Sequence, residues 1–393
     1  MMNASLHTNR RGGHTLGKNR LLEIMASGKT YPMLSAATVL WGASKLYGGL
    51  MQLRRKLYEK QMLPSYRLPC PVVSVGNLAL GGTGKTPTVI HLARLIKGLG
   101  YRVAIISRGY RGTAQNKGAI VSDGHTLRCG VVQSGDEPYL MASLLEDVPV
   151  VVGKDRCQAG KTASRVARPD VILLDDAFQH LRVKRDLNLL LLDARNPIGN
   201  TFVIPRGRLR EPASAIGAAD AVVLTRSDAV PSSNSEMVLR RYPSLPVFRS
   251  IHSSVIRGMA QAGKPLPLLH QIPAGPDDLK DLNLFAFAGL ADNPAFFDTL
   301  ACQGARLVGA LGFADHHDYN EKDVCRIGRC AASAGADYLV TTDKDYVRFA
   351  EKARFPMATI VLGVEIEFHD DDRWRRFIME TVASRVHRRK ASC

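Results

Sequence analysis

The chain has 393 residues, 45% of them hydrophobic, with 53 Lys and Arg against 36 Asp and Glu for a formal charge of +17. That length supports two domains with buried cores. The seven scattered cysteines (70, 129, 157, 302, 325, 330 and 393) form no C-x-x-C, so they suggest neither a zinc site nor a disulfide framework and suit a reducing cytoplasm. The positive charge implies an anionic partner, either a phosphorylated substrate or an acidic membrane surface. No Lys/Arg run interleaved with aromatics and no recognisable nucleic-acid module is present, which argues against nucleic acid.

Residues 1–30 are polar and basic (Arg10, Arg11, Lys18, Arg20, Lys29) and read as a flexible tail. The stretch that follows, YPMLSAATVLWGASKLYGGLMQL, is mostly apolar, and Arg54, Arg55 and Lys56 come directly after it. It is long enough to span a bilayer. Its three glycines and its Ser, Thr, Lys and Gln residues make it a poor spanning helix. An amphipathic helix over residues 31–60, with its apolar face at the headgroup boundary and its cations on anionic lipid, accounts for both features. The plainer alternative is a helix packed on its own domain.

From Pro69 onward the pattern is regular. PVVSVG (71–76) reads as a buried strand, followed by the loop NLALGGTGKTP (77–87) and a helix in which Val89, Leu92, Ala93, Ile96 and Leu99 recur at helical intervals. Further strands are predicted at 101–107, 148–153, 170–176, 187–194 and 220–228, with a helix over 155–167. Apolar strands alternating with helices predict an α/β fold, a P-loop NTPase-like core over 61–230 with a mostly parallel sheet covered by helices on both faces. Residues 231–279, punctuated by PSSNS, YPSLP and IPAGP, read as a linker or irregular connection. A smaller α/β domain is expected over 280–368, with strands in LFAFAGL, ARLVGALGF and DYLVTT and a helix capped at Asn293 with Pro294 in its first turn. Residues 369–393 read as a basic tail or last helix.

The loop sits between a strand and a helix, the context a phosphate loop needs. Gly81, Gly82, Thr83, Gly84, Lys85 and Thr86 would turn backbone N–H groups toward phosphate oxygens at a helix N-terminus. Lys85 would reach the outer phosphates of ATP, and the Thr86 hydroxyl would ligate Mg²⁺. Ala79 stands where a glycine usually opens such a loop, which is tolerable if that position needs no positive φ. Pro87 is acceptable in a first helical turn, where its missing N–H has no intrahelical partner. Leu80 occupies the position of the additional lysine of partition-type ATPases, so that class is disfavoured. DVILLDD ends in Asp175 and Asp176, and a carboxylate at a strand end can hold the water shell of magnesium. At this level of reading either aspartate can serve.

Several compound motifs occur in one order: SVGNLALGGTGKTP, SRGYRG (107–112), SGDEPYL (134–140), LDDAFQHLRVKRDLNLLLLDA (174–194), PRGRLREP (205–212) and GFADHHDY (312–319). Together, over about residues 33–350, they closely resemble the tetraacyldisaccharide 4′-kinases, the lipid A 4′-kinases of Gram-negative bacteria. The resemblance implies transfer of a phosphoryl group from ATP, with Mg²⁺, to the 4′-hydroxyl of a tetraacylated glucosamine disaccharide 1-phosphate, the lipid A precursor. It also implies a peripheral enzyme at the cytoplasmic face of the inner membrane, reached through the N-terminal helix. By the same resemblance Asp136 is the catalytic base, His316 its partner, and Asp176 a further catalytic residue. Thr86, Asp175 and Glu211 belong to the metal–nucleotide site. Two departures, Ala177 for a common glycine and SRGYRG for the commoner SRGYGR, remove no reacting group. His316 is expected in the smaller domain, so it can meet Asp136 only if that domain closes over the cleft. The motifs identify no protein partner.

Plainer readings stand beside these. Asp136 and Glu137 suit the first turn of a helix beginning at Pro138. Gln179 and His180 read best as a structural pair under the strand-end loop. Arg206, Arg208 and Arg210 read equally as a solvated face or as contacts to phosphate. DHHDY alone would also suit a metal-dependent phosphoesterase, but no further ligand cluster accompanies it. TRSD (225–228) is similar to the guanine-reading element of GTPases and supports the alternative of a GTP-binding switch at the membrane surface. Arg226 in place of lysine, and the lack of a clear switch sequence, weigh against it.

Overall fold

The apolar runs become strands of one sheet, and the polar segments that follow them collect at the strands' carboxyl ends. The structure, a computed structural model, describes residues 36–228, 240–349 and 354–391; the tail expected at 1–30 lies outside these. Helix α1 (Ala36–Glu59) leads into β1 (Val72–Asn77), α2 (Lys85–Gly98), β2 (Val103–Ser107), β3 (Ala119–Ser122), the short α3 (Val131–Ser134) and α4 (Asp136–Leu144). Then come β4 (Val150–Val152), α5 (Arg156–Ala167), β5 (Val171–Asp175), β6 (Leu187–Asp193), β7 (Ala221–Thr225) and β8 (Val247–Ala260). The rest is β9 (Asn283–Ala288), α6 (Asn293–Cys302), β10 (Arg306–Gly312), α7 (Glu321–Ser333), β11 (Tyr338–Thr342), α8 (Asp343–Phe349), β12 (Thr359–Phe368) and α9 (Asp371–Lys390).

Among the described residues, twelve strands lie in the order β10-β9-β11-β12-β8-β7-β6-β1-β5-β2-β4-β3. Neighbours are parallel except β3 with β4 and β8 with β12. All six residues of β1 are buried, and their alternation feeds two cores. Val73 and Val75 pack with Val89, Leu92 and Ile96 of α2 and with Trp374 and Ile378 of α9. Val72 packs on the opposite face with Cys157, Ala159 and Ala163 of α5. A strand covered on both sides is apolar at most positions, which is why these strands read as near-continuous hydrophobic runs.

The expected linker at 231–279 is corrected over residues 247–260, which form β8, while 231–239 lie outside the described residues. This 14-residue strand pairs in parallel with β7 and antiparallel with β12, so the sheet runs unbroken into the C-terminal half. Most of its positions are only half-buried. It therefore carries Arg249, His252, Ser253, Ser254 and Arg257 and lacks an apolar signature. Residues 369–393 form a helix over most of their length rather than a tail. Within α9, Trp374 stacks on Phe368 with ring centroids 4.1 Å apart, and its Nε1 donates to His91 Nε2 at 3.1 Å. Burying a side chain of this kind contributes about 1.5–3 kcal/mol. The cap of α6 also shifts by one residue: the Asp292 carboxylate accepts from the Ala295 N–H at 3.2 Å. Asn293 instead accepts from the Leu290 N–H and donates to the Phe313 carbonyl, both at 2.8 Å.

Candidate active site

The glycine-rich loop leaves β1 and enters α2 with Gly81 at φ 120° and Gly84 at φ 78°, conformations that favour glycine. Ala79 needs no positive φ. It forms an antiparallel bridge with Leu209, and the strap continues through Leu80 N–H to the Arg208 carbonyl at 2.8 Å and Arg210 N–H to the Leu78 carbonyl at 2.7 Å. The first half of the loop is thus held by the PRGRLREP segment, which explains why a side chain is accepted there. The second half is held by Arg226, whose Nη1 donates to the Gly82 carbonyl at 2.9 Å and to Asp193 at 2.6 Å. Arg226 in TRSD is therefore a support for the phosphate loop, not a reader of guanine. His252 of β8 packs directly on Gly84, where a Cβ would lie 2.3 Å from its Nε2.

The two strand-end aspartates have different surroundings. Asp175, at the end of β5, accepts from the Ser107 hydroxyl at 2.8 Å through Oδ2, while its Oδ1 is buried without a partner. Burial, then the charges of Glu137 and Asp176, push its carboxyl up to about 7. Asp176, in the left-handed region at φ 46°, lies 3.7 Å from the Lys85 ammonium, and both its oxygens lie 2.9 Å from Arg210 Nη1. Burial opposes its ionisation, but Lys85 and Arg210 outweigh it and hold the group below the usual carboxylate range. Neighbouring carboxyls pushed in opposite directions are suited to different tasks.

Asp136 opens α4, yet its side chain does not cap the helix: the cap position is Gly135, with no side-chain bond. Its Oδ2 lies 2.6 Å from His316 Nδ1, across 180 residues of sequence. The approach follows from packing, because Tyr139 and Leu140 of α4 join the core built around Phe287, Tyr319 and Phe349. His316, on the turn after β10, adopts φ 60°. Burial pushes the Asp136 carboxyl up, but hydrogen bonds from His316 and Arg348 prevail and hold it low. Arg348 also joins this site, and no sequence motif singles it out. Its Nε and Nη2 lie 2.9 and 2.6 Å from Asp136 Oδ2, and no spacing signal links two residues 212 positions apart.

Glu211 departs from its expected place on the metal in one respect: its Oε2 is taken by Arg55 of α1, while Oε1 is buried without a partner. Among the described residues no three His, Cys, Asp or Glu side chains converge as a metal cluster. The residues nonetheless fit Mg²⁺ with a nucleotide. A glycine cradle is present, Asp175 Oδ1 and Glu211 Oε1 are buried and unengaged, and Thr86 lies buried in the first turn of α2. The arginines of PRGRLREP divide: Arg206 is buried over the Phe202 ring, Arg210 binds Asp176, and Arg208 is exposed but donates to the Leu80 carbonyl of the loop. Gln179 fits its structural reading, donating to the Asn77 carbonyl at 2.8 Å.

Helix α1 has two faces. Ala37, Ser44, Gly48 and Arg55 turn inward, with the Ser44 hydroxyl donating to the Val203 carbonyl at 2.8 Å. Val39, Leu46, Leu50 and Leu53 form an outward stripe, each at least 52% exposed. No helix among the described residues is long and apolar enough to cross a membrane.

Residues 36–383 match the family model described as tetraacyldisaccharide-1-P 4′-kinase. The chain is 43% identical over 326 residues to the tetraacyldisaccharide 4′-kinase of Pelobacter propionicus, covering 82% of this chain and 87% of that one. It is 40% identical over 371 residues to the enzyme of the same name from Desulfatibacillum aliphaticivorans, covering 92% and 97%. Among solved structures, the crystal structure of LpxK from Aquifex aeolicus in complex with ATP matches with a TM-score of 0.71 at 32% identity, covering 88% of this chain and 99% of that chain. By sequence and by fold, this chain belongs to the tetraacyldisaccharide-1-phosphate 4′-kinase family.

Proposed function

We propose that this protein transfers the γ-phosphoryl group of ATP to the 4′-hydroxyl of a tetraacylated glucosamine disaccharide 1-phosphate, acting as a peripheral enzyme at the cytoplasmic face of the inner membrane. The observation that carries this reading is the Asp136–His316 pair, joined at 2.6 Å from opposite halves of the sheet, in a fold that also carries the phosphate loop. Thr86, Asp175 and Glu211 would hold a magnesium ion, which when bound would neutralise charge on the phosphates. Lys85 and Arg210, both beside Asp176, would meet the charge of the outer phosphate. Asp136 accepts the hydroxyl proton as the oxygen–phosphorus bond forms and the bond to the leaving ADP breaks. A weakly basic carboxylate suffices, because the proton departs late in a loose phosphoryl-transfer transition state. His316 fixes the carboxylate's orientation.

The outward stripe of α1, flanked by exposed Lys45 and Lys56, supports docking on an anionic bilayer where the acyl chains of the acceptor reside. Lys85→Met should abolish acceptor-dependent ATP turnover while the fold persists, and near-normal turnover would refute the role of this loop. Replacing Leu46, Leu50 and Leu53 together by Gln should release the protein from anionic vesicles without weakening ATP binding. Unchanged co-sedimentation would mean that the stripe does not dock on lipid.

A further inference from the structure

We propose that α8 is a positioning clasp for the catalytic base, with Arg348 and Lys344, one helical turn apart, gripping Asp136 and Glu137 at the start of α4. The proposal rests on the reading of Asp136 as base and adds residues that set its orientation and charge. Arg348 is the stronger jaw. Its guanidinium, 6% exposed, gives Nε and Nη2 to Asp136 Oδ2 and Nη1 to Asp345 Oδ1 at 3.2 Å. Asp345 is itself fixed: it is fully buried and accepts from the Tyr319 hydroxyl at 3.0 Å, the Thr342 hydroxyl at 2.8 Å and the Gly289 N–H at 3.1 Å. A planar guanidinium held by one buried carboxylate can orient a second one closely. Lys344 Nζ lies 3.5 Å from Glu137 Oε1, with both side chains more than a third exposed, so this jaw is weak.

The geometry gives the clasp a chemical purpose. His316 Nδ1, Arg348 Nε and Arg348 Nη2 all converge on Oδ2. Among the described residues Asp136 Oδ1 makes no hydrogen bond, so it is the oxygen left for the acceptor hydroxyl. The 2.6 Å contact to the carboxylate places the imidazole proton on Nδ1. The neighbouring Arg348 Nη2, 3.1 Å from that nitrogen, is then a packing neighbour of the ring rather than a donor to it. Other charges around the base are accounted for. Asp315 lies 3.8 Å from His316 Nε2, Lys85 of α2 faces Asp176, and His270 bonds the Ser143 carbonyl at the C-terminal end of α4. Arg348 is thus the cation in direct contact with the base, and it keeps Asp136 ionised and aimed.

The test uses the full chain with Arg348→Gln, Arg348→Lys and Lys344→Met. Arg348→Gln should lower kcat about tenfold or more, the effect of losing one charge-assisted contact worth roughly 1.4 kcal/mol. KM for ATP should be unchanged, and the acid limb of the kcat/KM profile should move upward. Arg348→Lys should recover part of the rate and return the limb toward its original position, and Lys344→Met should lower kcat only about twofold. A second measurement needs no acceptor: the ¹³C titration of the Asp136 carboxyl, assigned by its loss in Asp136→Asn, should move upward in Arg348→Gln. If that titration and the acid limb both stay in place while the rate falls, Arg348 is only a packing residue and the clasp is refuted. If the wild type phosphorylates no lipid but the titration moves, the proposed reaction fails and the clasp stands.

Discussion

Arg55→Met separates the contribution of the α1 anchor from that of the catalytic groups. The Arg55–Glu211 side chains are 11% and 2% exposed, and the guanidinium also lies 5.2 Å from the Phe178 ring centre. Removing the cation leaves a carboxylate at a position water hardly reaches. The cost of breaking such a pair from one side is about 3–5 kcal/mol, far above the value of a surface ion pair. Arg55→Met/Glu211→Gln removes both charges and should regain most of that loss, because the penalty is the stranded charge and not the missing attraction. Urea denaturation of the four proteins of the cycle reads this directly. Because Arg55 lies on the inner face of α1, the single variant should also transfer phosphate to vesicle-borne acceptor less well than its ATP affinity would suggest. A cost below about 1 kcal/mol for Arg55→Met, or a double variant as unstable as the single one, would show that the pair is not a buried anchor.

Gly84→Ala should abolish ATP binding by calorimetry, since φ 78° and a Cβ 2.3 Å from His252 Nε2 force the loop open; retained affinity would contradict this packing. Asp136→Ala should lower kcat by roughly 10²-fold or more, His316→Ala should be severely impaired, and the double variant should be little worse than the poorer single one. Fully multiplicative losses would argue against a dyad. Asp175 has a folded pKa of about 7 above its ordinary value of 3.8, so the native state binds its proton more tightly than the unfolded chain. Its contribution to stability is complete below 3.8 and is lost as pH rises through about 7. In magnesium-free buffer the stability of wild type relative to Asp175→Asn should therefore fall across that window, and a constant difference would refute the assignment.

The N-terminal strands were legible because burial on both faces leaves Val171–Leu174 wholly apolar and Val72–Val75 interrupted only by Ser74. The phosphate loop was legible because its glycines, Lys85 and Thr86 are contiguous. β8 was not, because its half-buried faces tolerate Arg249, His252 and Arg257, and its pairing with β12 joins segments that periodicity cannot connect. β12 itself, TIVLGVEIEF, carries a strand-like apolar run. The Asp136–His316 pair came only through the compound motifs of the family. Arg348 escaped even those, since its role depends on α4 and α8 packing into one core. Ala79 and Arg226 were open questions in the sequence and became intelligible once the loop's two straps were seen.

The most direct test of the account is the destination of the transferred phosphoryl group. Wild-type protein is incubated with γ-labelled ATP, Mg²⁺ and tetraacylated disaccharide 1-phosphate in detergent, and the product is mapped by position. The account predicts label on the lipid at the 4′-oxygen, dependent on the acceptor, with none formed by Lys85→Met. Label released only as inorganic phosphate, or carried by the lipid at any other position, would contradict it.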